Sequence, residues 1–260
     1  MCGRINLRMS PAELQAAFDL FREPEWSPRY NLGPMQQALA VRLKPDGVRL
    51  AEPLQWGLVP GWAKDPKTGS QLVNARGETV ASKPSFRSAF KRRRCLIPAT
   101  GYYEWQVINS KTKQPWHIFR ADGGVLACAG LWECWQAPDG SVLESCATIT
   151  TTPNENLAEI HDRMPVILAE EHWSLWLDPA MEEVAALTEL LVPCPDDWLE
   201  KTPVSSLVNS VRNESPECLT PVKLPRSLFT MESTSTEPVA RWPRPSSPPR
   251  GSGLRTGWTH

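Results

Sequence analysis

Arg94-Cys95-Leu96-Ile97-Pro98-Ala99-Thr100-Gly101-Tyr102-Tyr103-Glu104-Trp105-Gln106-Val107 holds two short apolar and aromatic runs, parted by a Pro-Ala-Thr-Gly break. Runs of four to eight such residues bounded by Gly and Pro read as strands, here 95–98 and 102–107. Downstream, 116–120, 124–134, 142–150 and 164–168 read the same way. Upstream, 38–43 and 48–56 flank Lys44-Pro45-Asp46-Gly47, a turn sequence that closes a hairpin. Helices are few. Ser10 as N-cap, Pro11 behind it and Glu13 completing a capping box start one, and Leu14, Ala17, Phe18 and Phe21 share its apolar face. Others are expected at Ser85–Arg94, 169–177 and 181–191. Many strands with scattered helices predict an α+β domain around a curved, barrel-like, largely antiparallel sheet. There is no β-α-β alternation and no internal repeat.

The chain has 260 residues and 41% hydrophobic content, enough to bury a core. Residues 1–225 read as one domain. Residues 226–260 are rich in Pro, Ser, Thr and Arg, and so poor in large apolar groups that a disordered tail is expected. No 18-residue apolar run and no basic leader segment is present, which predicts a soluble, intracellular, cytoplasmic protein. The seven cysteines are irregularly spaced with no C-x-x-C pair. They are expected to be reduced and mostly buried, with no metal and no cofactor. Residues 1–106 carry 16 Lys and Arg against 9 Asp and Glu, whereas 107–225 carry 7 against 18. A basic first half suits a polyanionic partner, and an uneven surface by chance is the plainer explanation.

Four segments combine reactive side chains with apolar neighbours. The first is Cys2-Gly3-Arg4, where a small second residue allows Met1 to be removed. Cys2 would then carry a free α-amine and a thiol on adjacent carbons. Such an amine can serve as base for its own thiol, or condense with an aldehyde so that the thiol closes a thiazolidine ring. With an α-amine pKa near ~7.7–8.0, roughly a tenth to a fifth of it is neutral at pH 7. The others are Asn74-Ala75-Arg76-Gly77-Glu78-Thr79, Tyr102-Tyr103-Glu104-Trp105, and Glu159-Ile160-His161-Asp162-Arg163-Met164-Pro165. Singly, each has a structural explanation: Glu104 pairs at a sheet edge, His161 caps a loop, Asn74 satisfies a turn.

Taken in order, with Trp56-Gly57-Leu58-Val59-Pro60-Gly61-Trp62 and Pro84-Ser85-Phe86-Arg87 added, the set resembles the SOS-response-associated peptidase (SRAP) family of abasic-site processing proteins. The resemblance covers residues 1 to about 225. It implies a monomer that binds single-stranded DNA containing abasic sites and crosslinks the opened sugar to Cys2. Catalytic roles are implied for Cys2, Asn74, Glu104 and His161. DNA contacts are implied for Arg4, Trp62, Arg76, Trp105 and Arg163. The chemistry of these side chains agrees: a carboxyl desolvated among aromatics suits proton transfer at sugar oxygens, histidine titrates near neutrality, and arginine forks fit phosphates. The competing class is an N-terminal-nucleophile amidohydrolase of glutaminase type, which also begins Cys-Gly. A peptidase acting on other proteins and a non-catalytic DNA-binding module complete the alternatives.

Overall fold

The hairpin around Lys44–Gly47 forms, pairing β3 (Gln37–Leu43) with β4 (Arg49–Trp56) from Gln37 opposite Gln55 to Leu43 opposite Arg49. In the computed structural model, which describes residues 2–224, this hairpin is part of a closed ring. β3 also pairs with β6 (Arg94–Ala99), β6 with β9 (Leu126–Gln136), β9 with β10 (Val142–Thr151), and β10 returns to β4. A ring of five cannot alternate direction all the way round. One pair must run parallel, and it is β4 with β10. The short β5 (Asn74–Arg76) also joins β10 in parallel. Asn74, for which a turn was the plainer structural explanation, is thus in a strand.

Both faces of β3 and β6 are buried, so these two strands read as continuous apolar runs rather than alternating ones. Along β3, Leu39 and Val41 enter one apolar cluster with α1 (Pro11–Phe18), α2 (Arg87–Arg92) and α3 (Trp173–Leu177). Ala38 and Ala40 enter a second cluster with Cys2, Tyr102 and Trp116. The Ser10–Glu13 capping box is present, and Phe18 stacks on Trp173 with centroids 4.8 Å apart. The helix stops at Asp19, whose φ of 50° ends it in the left-handed region. Phe21 therefore leaves the expected apolar face and is 69% exposed.

The predicted helix 169–177 is α3 preceded by a 3-10 turn, 181–191 shortens to α4 (Val184–Glu189), and 164–168 to β11 (Met164–Pro165) with a lone bridge at Ile167. Four short strands went unpredicted: β1 (Ile5–Leu7), β2 (Arg29–Leu32), β5 and β12 (Leu199–Pro203). The tail 226–260 lies outside the described residues.

A second sheet, wholly antiparallel, runs β12, β8 (Lys113–Arg120), β7 (Gly101–Val107), β1, β2. The chain passes into it from the ring through Thr100–Gly101. A Cβ at Gly101 would fall 2.1 Å from His117 Nε2, so only glycine allows β7 to lie this close to β8. Tyr102 faces the ring side, in the cluster containing Cys2. Tyr103 faces the other side, where Val204, Val208 and Cys218 cover it.

The acidic second half of the chain is matched to the basic first half internally. Arg29 pairs with Glu214, Arg42 with Glu144, Arg92 with Glu182 and Arg93 with Glu133. The Lys91–Arg94 run is thus largely a structural device. Its Arg94 is 2% exposed and donates to the carbonyls of Phe90, Lys91, Trp176, Asp178 and Met181. Among the described residues, no helix is long and apolar enough to cross a membrane and no group of His, Cys, Asp or Glu could hold a metal ion.

Candidate active site around Cys2

Cys2 precedes β1, which pairs Ile5 with Tyr102 of β7. That pairing brings the N-terminus to the ring-facing side of β7. On this strand, side chains two apart share a face, so Tyr102 and Glu104 point the same way. Cys2 is 2% exposed and Glu104 is 2% exposed, and the Cys2 thiol donates to the Arg163 carbonyl at 3.9 Å. Burial pushes the Cys2 thiol well above its ordinary value, and the neighbouring Glu104 adds to the effect. Burial also raises the Glu104 carboxyl. A carboxyl raised in this way keeps its proton to higher pH than an ordinary one, which suits proton transfer.

His161 comes from the loop before β11. Its Nε2 is 3.8 Å from Glu104 Oε2, while Nδ1 accepts from the Arg163 N–H at 3.0 Å and lies 2.9 Å from Asp162 Oδ1. Asn74 donates from Nδ2 to the Cys2 carbonyl at 2.9 Å, fixing the residue whose amine and thiol would react. The structure therefore gathers Cys2, Asn74, Glu104 and His161, residues from four separate segments, into one place.

The residues expected to contact DNA divide into two groups. Arg76 is exposed and, on β5, shares a face with Asn74, while Ala75 between them enters the core. Trp62 is 65% exposed. The other three are engaged within the protein. Arg163 forms a two-pronged pair with Glu78, at 2.6 and 2.9 Å, and donates to the Thr150 carbonyl. Arg4 donates to Asn31 Oδ1 at 2.7 Å and to the Val208 carbonyl, with its guanidinium 5.6 Å from the centre of the Trp105 ring. Trp105 sits on the face of β7 opposite Glu104, and its Nε1 donates to Asn209 Oδ1 at 2.7 Å.

Two further polar groups lie on the reactive face. Among the described residues, the Tyr102 hydroxyl and Thr148 Oγ1 are buried without a hydrogen-bond partner, as is Asn74 Oδ1. Thr148 is paired in register with Asn74. Tyr102 was legible from its i, i+2 relation to Glu104. Thr148 sits in a Thr-rich strand end (Thr148, Thr150, Thr151, Thr152) that nothing local distinguishes.

Residues 1–211 match the family model "SOS response associated peptidase (SRAP)". The chain is 44% identical to "Abasic site processing protein YoaM" of Bacillus subtilis, covering 84% of this chain and 97% of that protein. It is 33% identical to mouse "Abasic site processing protein HMCES", covering 95% of this chain and 84% of that protein. A solved structure from Bacteroides thetaiotaomicron superposes with a TM-score of 0.76 at 22% identity, over 85% of this chain and 100% of that one. A phage-related protein from Bordetella bronchiseptica gives 0.63 at 28% identity, over 78% and 94%. The chain belongs to the SOS response associated peptidase (SRAP) family.

Proposed function

We propose that this protein handles abasic sites in DNA, single-stranded DNA in particular, by capturing the ring-opened sugar on Cys2 after Met1 is removed. The carrying observation is the shared burial of Cys2 and Glu104, with His161 Nε2 3.8 Å from the Glu104 carboxyl. The neutral α-amine adds to the sugar aldehyde, and the carbinolamine loses water to give an imine. The thiol then adds to the imine carbon, closing a thiazolidine that ties protein to DNA. Glu104 supplies the proton that opens the hemiacetal and dehydrates the carbinolamine, and His161 relays protons between that carboxyl and the sugar oxygen. Asn74 holds the Cys2 backbone so that amine and thiol meet the same carbon. The same thiol suits the release of Met1 by the chain itself, the peptidase activity in the family's name.

Arg76 and the exposed Trp62 are the groups best placed to meet phosphates and a neighbouring base, by charge and by stacking. Arg4, Trp105 and Arg163 support the site from behind through their internal contacts. The working unit is a monomer, inside the cell. The test is intact-mass analysis after mixing the protein with single-stranded DNA carrying one abasic site. A heat-stable adduct that is lost in Cys2→Ala supports the reading. A stable adduct of normal yield in Cys2→Ala overturns it, as does the absence of any adduct with the wild type.

A further inference from the structure

Tyr102 is 1% exposed, packed beside Cys2 in one apolar cluster, and on the same face of β7 as Glu104. Among the described residues its hydroxyl has no hydrogen-bond partner. A buried hydroxyl without a partner costs free energy that phenylalanine would avoid, and phenylalanine would fill the same apolar space. The groups that act on the phenol are Cys2 first, then Glu104, Cys194 and Cys128, after the larger effect of burial itself. Glu104 in turn is influenced by His161 and Asp162. Tyr102 thus shares the apolar cluster that holds the reactive thiol and the strand face that carries its carboxyl.

We infer that Tyr102 is a positioning residue whose hydroxyl donates a hydrogen bond to the Cys2 sulfur as the thiol gives up its proton. The inference rests on the crosslinking chemistry proposed above. In ring closure, the thiol proton passes to the Glu104 carboxylate and the sulfur electron pair forms the C–S bond. The π pair of the protonated imine returns to nitrogen, which keeps its own proton. Sulfur carries its greatest negative charge midway, in a site where burial opposes that charge. A neutral O–H donor stabilises it there without being consumed.

The test is Tyr102→Phe, read in three ways. Single-turnover crosslinking to abasic single-stranded DNA is expected to slow roughly 10- to 100-fold, the effect of one hydrogen bond to a charged atom. The rising limb of its pH–rate profile moves to higher pH, because the thiol is harder to ionise without the donor. The melting temperature does not fall, since no native hydrogen bond is lost. A second measurement needs no DNA: alkylation of Cys2 by iodoacetamide in the Met1-free protein, followed on the N-terminal peptide by mass spectrometry. Its pH midpoint also moves up in Tyr102→Phe.

Unchanged rates and midpoints overturn the inference, and so does a slow variant with an unmoved pH profile and a lowered melting temperature, which marks a packing role. Should wild-type protein form no adduct, the functional proposal fails. The alkylation midpoint then still decides whether Tyr102 supports the Cys2 thiolate.

Discussion

Replacing Arg94 with methionine decides what the Lys91–Arg94 run is for. Methionine keeps the aliphatic stem and removes five donors. The Trp176 and Phe90 carbonyls, reached at 2.6 and 2.8 Å, are buried. Those of Lys91, Asp178 and Met181 are partly buried and can turn to water. A buried carbonyl left without a donor costs ~1–3 kcal/mol, so the two buried ones amount to about 2–6 kcal/mol. Against this, burial holds the Arg94 guanidinium down to about 10, so removing the charge returns part of the loss. A net destabilisation of ~2–4 kcal/mol remains, and for a domain of this size each kcal/mol lowers Tm by about 2–4 °C. Urea unfolding followed by tryptophan fluorescence measures the first figure, and a thermal scan the second. DNA affinity, measured well below the new Tm, stays within about twofold of wild type. An unchanged Tm with DNA binding weakened several-fold would refute the structural assignment and make Arg94 a phosphate contact.

In Glu104→Gln, crosslinking slows by ~10²–10⁴ at saturating DNA, the usual range for a lost proton-transfer group, while DNA is still bound. The same variant gains stability with pH. Burial raises the folded carboxyl above its unfolded value, so between the two values the native state binds more protons than the unfolded state. Wild-type stability therefore falls as pH rises through that window, which opens near the ordinary carboxyl pKa of ~4.3. Glutamine cannot ionise, so the variant's advantage is absent at lower pH and complete above the folded pKa; paired unfolding curves from pH 4 upward measure it, and a wild-type advantage that grows with pH would contradict the burial argument. Arg76→Ala weakens binding to abasic single strands of any sequence and reduces the slope of log K against log[salt] by about 1. Fluorescence anisotropy across salt concentrations checks this, and an unchanged slope places Arg76 off the DNA path.

Local chemistry made some elements legible from sequence. Ser10-Pro11-Ala12-Glu13 satisfies the orphan backbone groups at the start of α1 within four residues, so no distant partner is needed to specify it. The turn at Lys44–Gly47 is likewise self-contained, with Gly47 at φ 85°, and it sets the register of the strands on either side. Cys2 was legible because the aminothiol that loss of Met1 would create is a property of covalent structure alone. The motifs around Asn74, Glu104 and His161 were recognisable as residue types, and family resemblance joined them.

Ring closure could not be read in this way. The parallel β4–β10 pair follows from the odd number of strands, which no strand records. β1, β2, β5 and β12 are three to five residues long and form through their partners rather than through intrinsic preference. Charge was the least transferable signal. Arg4 and Arg163 look in sequence like free phosphate forks, yet Asn31 with Val208, and Glu78 with Thr150, occupy them. Those partners lie 13 to 204 residues away in the chain, so only the tertiary fold decides whether an arginine faces solvent or its own protein. The same long-range closure buries Cys2 against Glu104. The sequence by itself determines that a thiol and a carboxyl are present. Their shared desolvation, which raises both groups above their ordinary pKa values, arises only when β1 docks on β7 beside the closed ring.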